Sequence, residues 1–499
     1  MTPKIILIHP PVAKPSEPPA GIAKLSASLT ACGVSHRLID ANLEGMLHLL
    51  HMSAKKNNND DHWSMRACKN LEDNLAAVRD LDTFHHFSRY TRAVQDIHRV
   101  LTLAGKPYGA MVTLADYADN HLSPVEADDL FRAAENPEAN PFYPYFSGRL
   151  RQAMEESPAF IGFSLNYLSQ ALSTFAMIGF VKKINPRQKI ILGGSLTTSW
   201  IQITGRNDFF YGLVDNIVAG AGEEKLVNLL GIRNVPTCAS TDYRHLAENP
   251  YLSPGFILPY SAARGCWWQK CAFCPEKAEG NPYLPLSSSQ VADELQVLTG
   301  LTNPSLIHLL DSAMAPALLK TLTQKPPGAP WYGFARVTDH LTDEDFCRAL
   351  KKSGCAMLKL GIESGDQQVL DALHKGMDLP MASAALRALK RAGIATYCYF
   401  LFGTPPENET AALETLDFIC RHADCIDFLN LAIFNLPAGS AEAQELSTSD
   451  FYAGDLSLYK GFHHPKGWQR QNVRHFLDKT LKKHPAIAPI IRRSPAFFT

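Results

Sequence analysis

The sequence predicts an α/β protein built on parallel sheets. Short β-branched runs alternate with stretches of helical spacing, and the runs end repeatedly in glycine, serine or a charged residue. A chain of 499 residues also exceeds what one hydrophobic core usually supports, so at least two domains are expected.

The first strand is Ile5 to Ile8, which stops at His9-Pro10-Pro11. A helix follows from about Gly21 to Ala31, with Ile22, Leu25 and Leu29 on one face, and Arg37 to Asp40 resumes as strand. The pattern returns further on. Phe160 to Ser164 reads as strand, Ser169 to Lys183 as helix, Lys189 to Leu192 as strand ending in Gly193-Gly194-Ser195, and Asn216 to Ala219 as strand ending in Gly220-Ala221-Gly222-Glu223. Such alternation implies an open parallel sheet, whose ligands sit beyond the C-terminal ends of the strands. The glycines fall at those ends, where a bare backbone lets a ligand approach closely. This first domain is placed at residues 1–235.

Residues 44–157 interrupt it. The segment is polar, with the expected exposed turn Lys55-Lys56-Asn57-Asn58-Asn59-Asp60-Asp61 and amphipathic stretches near Leu71 to Leu81 and Ala93 to Leu103, so a helical insert is predicted. Its histidines lack the H-x3-H or H-E-x2-H spacing of a metal site. Charge excludes other classes. With 48 basic and 49 acidic residues there is no electrostatic case for nucleic acid or an anionic membrane, which leaves a small molecule, lipid or peptide as the expected partner. The four-residue opening apolar run predicts no secretory signal, no stretch approaches the roughly 20 apolar residues of a membrane span, and unpaired cysteines predict a reducing cytoplasm.

The alternation resumes in residues 250–445. Leu306 to Asp311 ends in an acid, Trp331 to Arg336 in a base, Leu358 to Gly365 in Gly361-Ile362-Glu363-Ser364-Gly365, and Thr396 to Pro405 in Gly403-Thr404-Pro405-Pro406-Glu407. In an α/β barrel, strand C-termini form the active face. Residues 446–499, rich in aromatics and bases, are expected to be a helical cap.

Before those strands lies Arg264-Gly265-Cys266-Trp267-Trp268-Gln269-Lys270-Cys271-Ala272-Phe273-Cys274. Three thiolates on a short loop can hold three irons of a [4Fe–4S] cube and leave the fourth open for chemistry. A structural zinc site is the alternative, but it wants four ligands and usually paired C-x2-C knuckles, and no second knuckle occurs. The other eight cysteines stand singly among apolar residues.

The cysteine loop resembles that of the radical S-adenosylmethionine (SAM) enzymes, with C-x4-C-x2-C in place of the family's C-x3-C-x2-C. The succession His9-Pro10-Pro11, Pro19-Ala20-Gly21-Ile22, Asp40-Ala41-Asn42, Gly162-Phe163-Ser164, Gly193-Gly194-Ser195 and Gly220-Ala221-Gly222-Glu223 resembles the Rossmann-like cobalamin-binding domain that precedes the radical SAM barrel in one subgroup. The resemblance implies a partial (β/α)6 barrel in which Cys266, Cys271 and Cys274 hold the cluster and SAM chelates the open iron. It implies SAM contacts at Asp311, Arg336, Glu363, Ser364, Gly403 and Glu407, with Phe273 packed beside the cluster, and cobalamin contacts at Pro11, Ser164, Gly193, Gly194, Ser195, Gly220, Gly222 and Glu223. The D-x-H-x-x-G motif of a cobalt-ligating histidine is absent; Asp96-Ile97-His98 lacks the glycine, and His9 reads as a turn residue.

The implied activity is reductive cleavage of SAM to a 5′-deoxyadenosyl radical that removes a substrate hydrogen, followed by methyl transfer from methylcobalamin. It would be oxygen-sensitive and draw electrons from a donor such as flavodoxin or ferredoxin. Two alternatives stay open: a radical SAM enzyme without corrin, catalysing rearrangement, cyclisation or sulfur insertion, and a non-catalytic iron–sulfur or zinc protein.

Overall fold

The computed structural model describes residues 4–55, 61–232 and 241–494. Most of the expected turn at 55–61, Cys238 and the last five residues lie outside the described residues. The chain divides into two compact units, one of residues up to Phe256 with Tyr452–Ser457, the other of Ile257–Phe451 with residues from Leu458 onward.

The first unit is an α/β layer. Strands β1 (Ile5–His9), β2 (His36–Asp40), β3 (Phe160–Ser164), β4 (Lys189–Gly193) and β5 (Asn216–Val218) form one sheet in the order β2-β1-β3-β4-β5, and every pairing is parallel. Strand order therefore reverses between β1 and β3. Their carboxyl ends bound the crevice where open α/β sheets take ligands. The helix Ala20–Ala31 starts behind Pro19 and ends at Gly33, which takes the left-handed conformation (φ 67°) that glycine adopts without strain. Ile22 and Leu29 from this helix and Leu226 and Val227 from Gly222–Leu229 pack on Ile5, Leu7, Ile191 and Val218. The helix Leu168–Ile184 is buried on all sides from Gln170 to Val181, as its mostly apolar composition there allows.

The insert is helical, as expected, except for an antiparallel hairpin, Ala110–Val112 with Tyr117–Asp119. Three-residue strands carry too little periodicity to read from sequence.

The second unit holds β6 (Ile257–Tyr260), β7 (Leu306–Met314), β8 (Trp331–Ala335), β9 (Cys355–Glu363), β10 (Ala395–Phe402) and β11 (Phe428–Ile433). They pair in parallel in chain order, β6 at one edge and β11 at the other, as an open partial barrel. Side chains alternate across a strand. Leu358, Leu360 and Ile362 are fully buried on one face of β9, so Lys359 and Glu363 belong to the other. No helix of the described residues is long and apolar enough to cross a membrane.

The C-terminal segment differs from the expected helical cap. Thr448–Asp450 and Leu436–Pro437 flank Tyr459–Phe462 in a small antiparallel sheet, and among the segment's described residues the helices begin at Arg470–Phe476, which runs on into a π-helical turn Leu477–Leu481, followed by Ala488–Arg493. Each strand finds its partner through a loop return rather than through its own residue pattern.

Candidate active site

The cysteine loop is tied at its base. Ala263–Arg264 pairs antiparallel with Leu284–Pro285, and Gly265 (φ 68°) passes so close to the Pro282 backbone that a Cβ would overlap it. Gln269 absorbs the longer first spacing in a left-handed conformation, φ 52°. The Ala272 amide donates to the Leu373 carbonyl at 3.0 Å, and Cys274 caps the short helix Pro275–Ala278. Burial pushes the Cys274 thiol up, the Lys277 and Glu276 amides pull it down, and Cys271 and Cys266 push it up by their charge. The three sulfurs thus share one neighbourhood. Among the described residues, no set of His, Cys, Asp or Glu is gathered around one point to hold a single metal ion. A cube spreads its thiolate bonds over separate irons, so these three residues fit a [4Fe–4S] cluster.

Side chains from the strand ends close on this loop. Arg336 Nη1 donates to Cys271 Sγ at 3.5 Å, and Nη2 to the Lys375 carbonyl. Its guanidinium lies 4.3 Å from the Trp268 ring. Trp268 donates to the His374 carbonyl at 3.0 Å and covers Gly376, where a Cβ would collide with the indole. Lys375 donates to Glu363 at 2.8 Å in a pair with side chains 6 % and 12 % exposed. Phe273 packs against Val369, Leu373 and Ala411, with the Lys375 ammonium 5.6 Å from its ring.

The expected SAM residues fare differently. Asp311 is buried and accepts from the Ala262 amide at 3.1 Å. Glu363 sits at the end of β9 with φ 69°, already partnered by Lys375. Arg336, expected among the SAM contacts, has its two terminal nitrogens on Cys271 and the Lys375 carbonyl. Ser364 is fully buried; its hydroxyl meets Thr415 at 3.3 Å and accepts from the Asp366 amide at 3.1 Å, which anchors the start of the helix Gln367–Ala372.

Gly403 and Glu407 are covered by the C-terminal segment. A Cβ on Gly403 would lie 3.2 Å from the Val473 side chain, so the bare backbone there faces this chain's own helix. Glu407 is buried, its Oε2 accepting from the Gly403 amide and from Trp468 Nε1 at 3.0 Å, while Oε1 has no hydrogen-bond partner. Burial pushes its carboxyl up to about 8. His464 and Lys466 add bonds to the Thr404 and Pro406 carbonyls.

The sequence alone assigned no role to Lys375, Gly376, Trp268 or Trp468. Nor did it disclose the second face of the barrel strands. There His308 stacks on Tyr332 with centroids 4.4 Å apart, and the Lys359 ammonium lies 5.0 and 5.2 Å from the Tyr332 and Phe334 rings. The signal was a polar residue at period two inside apolar runs.

In the first unit, Asn166 Oδ1 accepts from the Ser195 amide at 3.1 Å and its Nδ2 donates to the Ser164 hydroxyl at 3.2 Å, joining the ends of β3 and β4. The Gly220 amide donates to Thr198 at 2.9 Å. The glycines were expected to leave room for a corrin, but the room is mostly filled. A Cβ on Gly194 (φ 112°) would overlap the Leu165 backbone, one on Gly193 would meet the Val218 carbonyl at 3.3 Å, and one on Gly222 would meet Leu25 at 3.2 Å; Gly220 alone of the four faces space. Pro11 is buried and Glu223 pairs with Lys24 at 3.6 Å. His9 is buried, which lowers it to about 4, and its Nδ1 has no hydrogen-bond partner. Ser164, Ser195 and Gly220 thus give the carboxyl ends of β3, β4 and β5 a polar, partly open rim.

A three-cysteine loop at the mouth of a six-stranded parallel partial barrel defines a radical SAM domain. The family model of the Radical SAM superfamily matches residues 260–419 of the chain. The chain is 23% identical over 290 residues to an uncharacterized methyltransferase of Pyrococcus horikoshii, a match covering 50% of this chain and 61% of that protein. It is 25% identical over 260 residues to the anaerobic magnesium-protoporphyrin IX monomethyl ester cyclase of Cereibacter sphaeroides, covering 42% and 40%. The matches thus span less than two thirds of either relative. Among solved structures, the radical SAM methyltransferase TsrM from Kitasatospora setae, with tryptophan substrate and a SAM analogue bound, superposes with a TM-score of 0.57 at 13% identity, covering 98% of this chain and 89% of that one. The same enzyme with cobalamin and a [4Fe–4S] cluster bound gives 0.53 at 14% identity.

Proposed function

We propose that this radical SAM enzyme is a cobalamin-dependent methyltransferase acting on an unactivated carbon. The observation that carries the reading is the presence in one chain of a switch-point sheet and a three-cysteine partial barrel, the arrangement of strands shared with TsrM. When bound, the cluster and SAM supply a radical and cobalamin a methyl group. The residues of this chain do the rest. Cys266, Cys271 and Cys274 would hold the cluster; Arg336 and Trp268 wall off Cys271; Glu363, paired with Lys375, and Asp311 offer acceptors for an ammonium or ribose hydroxyls. Ser164, Ser195 and Gly220 would face the corrin at the carboxyl ends of β3, β4 and β5, and a small electron-transfer protein such as flavodoxin or ferredoxin supplies electrons.

Anaerobic reconstitution tests this. We expect four irons and one cobalamin per chain, with reductive cleavage of SAM. Cleavage without cobalamin uptake would leave a corrin-free radical SAM enzyme, the reading that the filled space at Gly193 and Gly194 favours, and an intact cluster that never cleaves SAM would leave a binding protein.

A further inference from the structure

We propose that Arg336 sets the reduction potential of the cluster by donating a charge-assisted hydrogen bond to the Cys271 sulfur, an inference resting on the assignment of the three thiols as cluster ligands. Arg336 is 8 % exposed, and its fork is fixed on two sides, at Cys271 Sγ (3.5 Å) and at the Lys375 carbonyl. Its flat face rests on Trp268 at 4.3 Å, and Trp268 is itself pinned by the His374 carbonyl and the bare Gly376. A guanidinium held in this way keeps its direction, which a flexible ammonium does not.

Charge decides the sign. Lys375 is paired with Glu363, whereas Arg336 forms no ion pair among the described residues. Its positive charge therefore acts on the cluster sulfur without a neutralising carboxylate. Adding one electron makes the cluster more negative, so a nearby buried cation favours the reduced form and raises the potential; hydrogen bonds to cluster sulfurs act in the same direction. The electron comes from the external donor, and no covalent bond of the protein changes. Arg336 is thus a positioning and tuning residue, placed behind the cluster ligand.

The test compares wild-type protein with R336M and R336K after anaerobic reconstitution. Iron and sulfide analysis comes first: a wild-type protein without four irons defeats the cluster assignment itself. Given the cluster, a redox titration followed by electron paramagnetic resonance should find R336M more negative by the equivalent of about a tenfold fall in the reduction equilibrium constant, ~59 mV for one electron, the size expected from losing one charged hydrogen bond. R336K, which keeps the charge but loses the fork, should fall between. Coincident midpoints in wild type and variants overturn the proposal. Should the variants fail to fold, wild-type protein labelled with 15N in its arginine side chains provides the second measurement: pulsed resonance of the reduced cluster should show a 15N coupling, and its absence overturns the proposal equally.

Discussion

At the residue scale, the buried carboxyl of Glu407 gives the molecule a defined pH response. Its carboxyl stands at about 8 in the fold against an ordinary 4.5, because burial penalises the charged form more than the bonds from Gly403 and Trp468 favour it. Between these values the folded state holds a proton that the unfolded chain has lost, so stability contributed by this group is full below pH 4.5 and declines until about pH 8. The loss is on the order of a few kcal/mol. Glu407→Gln keeps an acceptor for Gly403 and Trp468 without a charge, so the variant should melt higher than wild type at pH 8 and alike at pH 4.5. Thermal denaturation across that range checks it; parallel curves would remove Glu407 as the source. The same scale shows what the sequence discloses. Cys266, Cys271 and Cys274 are legible because their chemistry lies in residue type and spacing. The partners of Arg336, Ser364 and Glu407 are not, because Cys271, Thr415 and Trp468 reach them only through tertiary packing over separations of 65, 51 and 61 residues.

At the scale of elements, periodicity carried the reading wherever a strand and its covering helix were long. The βαβ unit from Ile5 to Asp40 and the helix over 168–184 stand within a residue or two of where their apolar spacing places them. Short antiparallel pieces such as Tyr117–Asp119 and Thr448–Asp450 escaped, since three residues do not fix a period. Glycines misled for another reason: type alone does not say whether a bare Cα faces ligand or chain. Gly194 faces the Leu165 backbone, whose amide and carbonyl are held by Gly193 and Leu196. Gly194→Ala should therefore destabilise the fold itself, by about 1–3 kcal/mol or more as overpacking against a fixed backbone does. Gly220→Ala, with φ 72° but open space, should lose only the left-handed preference, about 1 kcal/mol. Chemical denaturation of the two variants should rank them in that order, and equal losses would mean that Leu165 yields.

At the scale of the whole molecule, the three cysteines lie in the second unit and the β1/β3 crevice in the first, so the residues proposed for the two cofactors belong to separate compact units. Sites without shared partners respond to substitution independently. Replacing Cys266, Cys271 and Cys274 together by alanine removes three iron ligands that no neighbouring cysteine replaces. The loss of packing is modest, because Cys266 and Cys274 are only partly buried and the shorter side chain can be accommodated in a loop. Iron and sulfide should fall to background, SAM cleavage should cease, and the protein should remain folded while taking up as much cobalamin as wild type. Four irons retained in this variant would place the cluster elsewhere. Cobalamin lost together with the iron, in a variant whose circular dichroism is unchanged, would mean that corrin loading depends on the cluster and that the crevice of the first sheet is not sufficient to bind it.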